Sequence, residues 1–314
     1  MECRIVTLTM NPAVDTTVEV DRIFAGHKLR CDHVRRDPGG GGINVARVVH
    51  RLGGDAVAVF PAGGPLGEVL DNLLKAEGIN EIVVPIAGET REDFAVDDRS
   101  TAEQYRFVMP GPPLSAREVD LCLDLVRAEL RPPCIFVASG SLPRAVSVEF
   151  YAQCAASARA LDIKFVLDSS GAPLRDALGA GVYLIKPSLR ELEGLAGRSL
   201  ETESAQLAAA CELIAARQCE QVALTLGAGG ALLVGRGYAL RATAPRIDAA
   251  STVGAGDSFL GAMVYAMGEE RAPEDALRLA TAAGSAALLS RGTGLCTLAD
   301  IERLARDVAI GTAA

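Results

Sequence analysis

From Cys134 onward the chain repeats one phrase. "CIFVASGSLP", "KFVLDSS", "VYLIKPS" and "QVALTLG" are short apolar runs, and helical stretches such as "VEFYAQCAASARALD" and "AQLAAACELIAARQ" stand among them. Strands that are apolar on both sides must be covered on both sides, and joining them in parallel takes a long crossover. The alternation therefore predicts an α/β fold with a mostly parallel central sheet between two helical layers. The earlier segments fit the same plan. "RIVTLTMNP" reads as a first strand, and "GGGGINVARVVHRLGG" as a glycine turn and a helix stopped by glycine. "AVAVFPAGG" is a buried strand with "LGEVLDNLLKAEGI" as the helix behind it. Some stretches break the rhythm. "TTVEVDRI" alternates like an exposed strand, and "DFAVDD" and "AEQYRFVMP" read as two further short strands. Segments of about 16–33 and 91–107 are thus expected to project from the core as a small β-lid. "ALLVGRGYALRAT" is expected to form a hairpin about its Gly-Arg-Gly turn. No repeat, low-complexity tract or linker divides residues 1–314, so a single domain is expected.

In such folds the loops at the carboxyl ends of the strands form the ligand crevice. Asp15, Ser141, Asp168, Lys186 and Gly227 all fall at such places. The formal charge of -9 argues against non-specific nucleic-acid binding but leaves room for a small anionic substrate held by a local group of cations. No apolar run is long enough to span a bilayer, and the opening "MECRIVTLTMNPAVD" turns polar too soon for a signal peptide. A cytoplasmic protein that binds neither nucleic acid nor membrane is expected. The eight cysteines are scattered without a CxxC pair, which predicts buried free thiols in a reducing compartment. The three histidines form no metal-ligand spacing.

The nucleotide signatures GxxxxGK[ST] and GxGxxG after a strand are both missing. Instead, "TVGAGDSF" sets the turn Gly254-Ala255-Gly256 at the mouth of an apolar helix, with Asp257 next. Backbone N–H groups of such a turn converge on an anion, and the helix N-terminus adds positive potential. A carboxylate there does not help to hold phosphate. It can take a proton from an attacking hydroxyl, which suits phosphoryl transfer. Taken alone, Asp257 reads equally as a helix N-cap. "DPGGGGIN" is a second glycine turn, where Gly40 and Gly41 let the backbone approach a ligand and Asn44 can meet sugar hydroxyls; alone, it is also a plain turn into a helix. Asp15 in "NPAVD" can meet polyol hydroxyls or sit on a surface turn. Lys28, Arg30, Arg91 and Arg106 lie in or beside the lid segments, and a sugar phosphate needs two or three such cations. "KPSLRE", Lys186 to Glu191, can reach nucleotide phosphates and, through water, magnesium.

In combination and in order, these pieces resemble the ribokinase-like (PfkB) carbohydrate kinase family over essentially the whole chain. "PGGGGINVARVVHRLGG" is similar to its N-terminal signature and "DAASTVGAGDSFLGAM" to its more specific C-terminal one. The resemblance implies a three-layer α/β/α ribokinase-like sandwich with a β-lid that often forms a dimer contact. It also implies a magnesium-dependent transfer of the γ-phosphate of ATP to a sugar hydroxyl. Within the family, "TLTMNPAVD", "GHKLRC", "EQYRFVMPG", "SGSLP", "LDSSG" and "TAAGSAALLSRGTGLC" look like the minor-type bacterial 6-phosphofructokinases. The 1-phosphofructokinases usually carry a lysine where Gly41 stands. Fructose 6-phosphate, phosphorylated on its C1 hydroxyl, is the acceptor this implies. Tagatose-6-phosphate kinase and 1-phosphofructokinase are the rival readings, and a non-catalytic sugar-phosphate sensor is the alternative of another class.

The same resemblance implies roles. Asp257 is the general base, and Gly254, Ala255 and Gly256 form the anion hole. Asp15, Gly40, Gly41, Asn44 and Ser141 hold the sugar. Lys28, Arg30, Arg91 and Arg106 are the pool of cations for its phosphate, with Arg91 reaching in from a neighbouring subunit's lid. Lys186, Ser188 and Glu191 serve ATP, Glu191 also meeting magnesium through water. Thr225, Gly227, Gly230, Ser251 and Thr252 line the nucleotide site. Ser251, Val253, Ala287, Ser290 and Gly292 form a loop for a monovalent cation such as potassium. Two places depart from the family. Its NxxE motif is "SLRE" here, with the shorter Ser188 for asparagine, which implies weaker magnesium handling. In "SRGTGLC", Ser290 and Gly294 stand where asparagine and arginine are expected, which counts against potassium activation.

Overall fold

Successive residues of a strand face opposite sides of its sheet. Ile5, Ile135, Val166, Leu184 and Ala223 enter one hydrophobic core, and Val6, Phe136, Leu167, Ile185 and Val222 enter another. Each core is closed by helices. Gly41–Arg51, Gly64–Ala76, Ala255–Gly268, Pro273–Ala287 and Leu298–Ala305 pack on the first face. Ala116–Glu129, Phe150–Ala160, Gly171–Ala180, Leu189–Ala196 and Glu203–Ala215 pack on the second. This is the three-layer α/β/α arrangement that the alternation of strands and helices predicts. It is seen in a computed structural model that describes residues 3–249, 253–290, 292 and 294–313.

In chain order the strands are β1 (Arg4–Leu8), β2 (Ala13–Val20), β3 (Asp32–Gly39), β4 (Ala56–Ala62), β5 (Asn80–Pro85), β6 (Arg91–Asp98) and β7 (Glu103–Phe107). Then follow β8 (Cys134–Ser139), β9 (Lys164–Asp168), β10 (Val182–Ile185), β11 (Cys219–Thr225), β12 (Ala231–Gly235), β13 (Tyr238–Thr243) and β14 (Ala309–Thr312). Ten of them form one sheet in the order β14-β13-β12-β11-β10-β9-β8-β1-β4-β5. From β11 to β5 each neighbouring pair is parallel. The β12–β13 hairpin and β14 extend the sheet antiparallel. Strand order reverses at β1, with β4 and β5 to one side and β8 to β11 to the other. The crevice beyond the carboxyl ends at such a reversal is where an open α/β sheet receives a ligand.

The second sheet has the order β3-β2-β6-β7 and carries the projecting segments. Its β6 and β7 span Arg91 to Phe107, while the first projecting segment departs from the expected 16–33. The first strand starts at Ala13, residues 21–31 form no strand, and β3 runs on to Gly39, straight into the glycine turn. Nor is "TTVEVDRI" an exposed strand. Thr16, Thr17, Val18 and Val20 are buried, because β2 is paired on both edges and its valines join Val96 in a small lid core.

The sequence reading also passed over several elements. It placed nothing between "KFVLDSS" and "VYLI", yet β9 and β10 are parallel, so the chain must cross over, and Gly171–Ala180 makes the crossing. Its glycines and proline hide the helical period. Of the cysteines, Cys31 and Cys211 are exposed rather than buried.

Candidate active site

Gly254 opens the helix Ala255–Gly268 with a φ of 76°, a conformation that costs glycine little and other residues much. The N-cap position therefore belongs to Gly254, and Asp257 falls in the first helical turn, where no side chain caps the end. The plain-cap reading of Asp257 is thereby excluded. Instead, its Oδ2 accepts a hydrogen bond of 2.8 Å from Asn44 Nδ2, at the start of the other glycine-led helix. Burial pushes the Asp257 carboxyl up to about 6, and nearby Asp168 adds to that; the Asn44 bond, Lys186 and Arg47 pull it back. Such a group is ionised at neutral pH yet basic enough to accept a proton in a reaction.

Lys186 follows β10 and is buried, with Nζ 3.2 Å from Asp168 Oδ1. Burial disfavours its charge, but Asp168, Asp257 and Glu191 overbalance that and hold its pKa above the ordinary lysine value. A Cβ placed on Gly256 would lie 3.3 Å from Lys186 Nζ, so the ammonium stands beside the glycine turn. Ser139, at the end of β8, donates its hydroxyl to Asp168 Oδ2 at 3.2 Å. The same hydroxyl lies against Gly41, where a Cβ would collide with it. The two glycine turns thus meet over the ends of β8, β9 and β10.

On the lid side, Asp15 lies directly against Gly39, where a Cβ would strike its carboxylate. Asp15 and Arg106 line one cavity together with Phe94, Val253 and Gly292. Asn11 Nδ2 donates to Ser141 Oγ at 3.1 Å. Arg91 donates to the carbonyls of Asn11 (3.1 Å) and Met109 (2.9 Å) and pairs with Asp93 at 3.4 Å. Its guanidinium is turned into its own chain, against the expectation that it reaches in from a neighbour. Lys28 and Arg30 are exposed on the strandless connection 21–31 and do not line this cavity. Gly40 is the N-cap of helix Gly41–Arg51, with its backbone packed against Thr9.

A cavity of about 160 Å³ opens on the opposite side of the turn. Thr225, Gly227 and Gly230 form one wall, Phe259, Ser285 and Leu288 another, and Gly256 closes one end. Thr281 contributes a buried hydroxyl with no hydrogen-bond partner among the described residues. An apolar chamber that runs to an anion-binding turn beside a lysine fits a nucleoside followed by its phosphates. Ser188 and Glu191 form a capping box: the Ser188 N–H and Oγ both donate to Glu191 Oε2 (2.7 and 2.9 Å), and the Glu191 N–H donates back to Ser188 Oγ at 3.4 Å. Ser188 therefore does locally what asparagine does at an N-cap. Ser251 and Thr252 lie outside the described residues. Of the expected cation loop, Val253 and Ala287 are buried, Gly292 adopts a φ of 61°, and Ser290 Oγ donates to Leu295 O at 2.7 Å.

Sequence reasoning missed Asn11, Ser139, Arg47 and Glu77. Arg47 is fully buried and grips Glu77 through Nε (2.9 Å) and Nη2 (2.6 Å), while its Nη1 donates to Asn44 Oδ1 at 3.0 Å. Burial resists the Glu77 charge, but Arg47 and Arg51 overbalance it and hold its pKa below the usual carboxylate range. One signal was available: Arg47 follows Asn44 by three residues, on the same helical face.

Residues 6–300 match the family model described as pfkB family carbohydrate kinase. The chain is 46% identical over 300 residues to the ATP-dependent 6-phosphofructokinase isozyme 2 of Mycobacterium tuberculosis, which covers 96% of this chain and 88% of the relative. It is 40% identical over 302 residues to the Escherichia coli protein of the same name, over 96% of this chain and 97% of that one. The crystal structure of E. coli phosphofructokinase-2 in complex with potassium superposes with a TM-score of 0.93 at 39% identity, over 98% of this chain and 99% of that chain. A tetrameric inhibited form of the same protein superposes with a TM-score of 0.92 at 38% identity, with the same coverage.

Proposed function

The chain belongs to the pfkB family of carbohydrate kinases, and from that premise we propose that it is a 6-phosphofructokinase, moving the γ-phosphate of ATP to the C1 hydroxyl of fructose 6-phosphate. The observation that carries this reading is Asp257: a carboxyl poised near 6, held by Asn44, beside a glycine turn and a buried lysine. In the reaction, Asp257 takes the proton of the acceptor hydroxyl as its oxygen bonds to the γ-phosphorus. The bond from that phosphorus to the bridging oxygen breaks, and ADP departs with the electron pair. The N–H groups of the turn Gly254–Gly256 and the Lys186 ammonium meet the charge that grows on the transferred group. Asp15, Gly40, Asn44 and Ser141 hold the sugar, and Arg106, which lines the lid cavity, its phosphate.

Magnesium binds few protein ligands and otherwise keeps water and substrate phosphates. Glu191 suits it through water, since Ser188 occupies only its Oε2. Bound magnesium would supply charge neutralisation on the phosphates. The potassium complex of the E. coli relative supports a monovalent cation at Val253, Ala287, Ser290 and Gly292. Where the resemblance expects an arginine at 294, Arg51 donates to the Gly294 carbonyl (2.6 Å) from another helix.

The lid supports a homodimer. Phe24, Val34, Tyr105 and Met109 are exposed on it, an apolar face that a second copy would cover. Lys28 and Arg30 are then the cations offered across the interface. No described helix is long and apolar enough to cross a membrane, and use of ATP and a sugar phosphate supports a cytoplasmic enzyme.

The test is an acceptor panel: MgATP with fructose 6-phosphate, tagatose 6-phosphate or fructose 1-phosphate, followed by ADP release. A kcat/KM preference for fructose 6-phosphate is expected. The crowding of Gly41 against Ser139 supports that choice, since it leaves no room for a lysine at 41. Preference for another ketose phosphate would overturn the acceptor. Binding without turnover would point to a sensor.

A further inference from the structure

Asp257 is held by an amide that could in principle face either way. An asparagine side chain has one acceptor oxygen and one donor nitrogen, and a guanidinium has only donors. Arg47 Nη1 points at Asn44 from 3.0 Å and also meets the Pro38 carbonyl at 3.1 Å. It therefore forces Asn44 Oδ1 toward itself and Nδ2 toward Asp257 Oδ2. A flipped amide would set donors against donors on one side and two oxygens against each other on the other. Both Asn44 and Arg47 are buried, so no water relieves such a clash.

Arg47 is set in turn by Glu77, at the exit of helix Gly64–Ala76, through a two-point grip. The same carboxylate accepts from Arg51 Nη2 at 3.4 Å. Arg51 Nη1 holds the carbonyls of Gly294 (2.6 Å) and Cys296 (3.0 Å). Between those carbonyls, Leu295 packs under the catalytic turn: a Cβ on Gly254 would come within 2.7 Å of its Cδ2. One carboxylate thus anchors both supports of the base, the amide that grips Asp257 and the loop that backs its glycine turn.

We propose that Glu77, acting through Arg47 and Asn44, is a positioning residue that commits Asp257 Oδ2 to the protein and leaves Oδ1 as the oxygen that takes the acceptor's proton. The inference rests on the phosphotransfer reading of Asp257. The charged groups that face Asp257 are Arg47 from helix Gly41–Arg51, Asp168 at the end of β9 and Lys186 after β10, with Glu191 behind Lys186. Glu77 neutralises Arg47, so Glu77→Gln strengthens the positive field on Asp257, whereas Arg47→Met removes that field and leaves Glu77 to Arg51 alone.

The test is the pH dependence of kcat in wild type, Glu77→Gln and Arg47→Met. The acid limb is expected to move down in Glu77→Gln and up in Arg47→Met, each by about half a pH unit or more. In Arg47→Met, kcat is expected to fall roughly 10- to 100-fold. Loosened packing alone would not shift the two limbs in opposite directions. Acid limbs that stay at the wild-type position in both variants, or that move the same way, overturn the proposal. Should Arg47→Met fail to fold, Glu77→Gln is read against Glu77→Asp, which keeps the charge and should restore the wild-type limb; failure of that rescue is equally fatal. A wild type without turnover on any ketose phosphate would overturn the phosphotransfer reading instead. The carboxyl-carbon NMR titration of Asp257, assigned by its loss in Asp257→Asn, would then read the same opposed shifts without catalysis.

Discussion

At the scale of single residues, Asp257 is a charge kept where burial disfavours it. Its carboxyl titrates near 6, above the 3.8 of a free aspartate, and only the ionised form can take a proton. The kcat/KM of the wild type, which reports the free enzyme, is therefore expected to be full above that value and to fall tenfold per unit as pH drops below about 6. A profile flat down to pH 5 would exclude Asp257 as the base. Asp257→Asn is expected to retain sugar-phosphate binding in calorimetry and to lose roughly 10²–10⁴-fold in kcat. It should also melt higher at pH 8, by about 2 °C or more, because a raised acid pKa is a cost to the folded state that applies above the unfolded value. Below about pH 4 both states of the wild type hold the proton and the difference should vanish. Unchanged melting at pH 8 would mean that the carboxylate is better solvated than its surroundings suggest.

At the scale of elements, the helix Leu189–Ala196 shows how a departure in sequence can preserve a local cap. Ser188 replaces the asparagine the family expects, but the capping box needs only a short side chain that accepts from the third backbone N–H, and serine serves as well as asparagine. Ser188→Asn is thus expected to leave the magnesium dependence and the denaturation midpoint where they are. Ser188→Ala should cost about 1 kcal/mol in urea unfolding and raise the KM for MgATP, because Glu191 loses the partner that fixes it. A lower magnesium requirement in Ser188→Asn would show that asparagine does something at this position besides capping. The glycine turns were legible in "GGGGIN" and "TVGAGD" because tight turns are local chemistry, while "KPSLRE" was read for its lysine and carboxylate and not for the capped helix that it opens. The crossover Gly171–Ala180 was not legible, because only the parallel pairing of β9 and β10 demands it.

At the scale of the molecule, the lid lines a cavity with Val253 and Gly292 and carries exposed apolar side chains, among them Phe24, Val34, Tyr105 and Phe107. Val34 is 64% exposed on β3. Val34→Glu is expected to shift the protein to monomer in sedimentation and to raise the KM for sugar phosphate about tenfold or more, leaving the KM for ATP within about threefold. Sedimentation as a dimer with unchanged kinetics would move the interface elsewhere. The expectation follows from a division of the four lid cations. Arg91 is bound to its own chain and Arg106 lines its own cavity, while Lys28 and Arg30 face outward.

What the sequence by itself determined is what neighbouring residues can encode. The alternation of apolar runs and helices set the three layers, the breaks in it marked the lid, and two glycine turns with Asp257 and Asn44 marked the chemistry. Only the tertiary structure decided how those marks meet. Asn44 and Asp257 are 213 residues apart and bond because strand order reverses at β1, which brings both helix starts to one crevice. Glu77 was invisible for the same reason, and the spacing of Arg47 from Asn44 gave no hint of it. A buried arginine reads as an ordinary helix cation until the fold places a carboxylate against it, and no periodicity or turn rule carries that information across 30 residues.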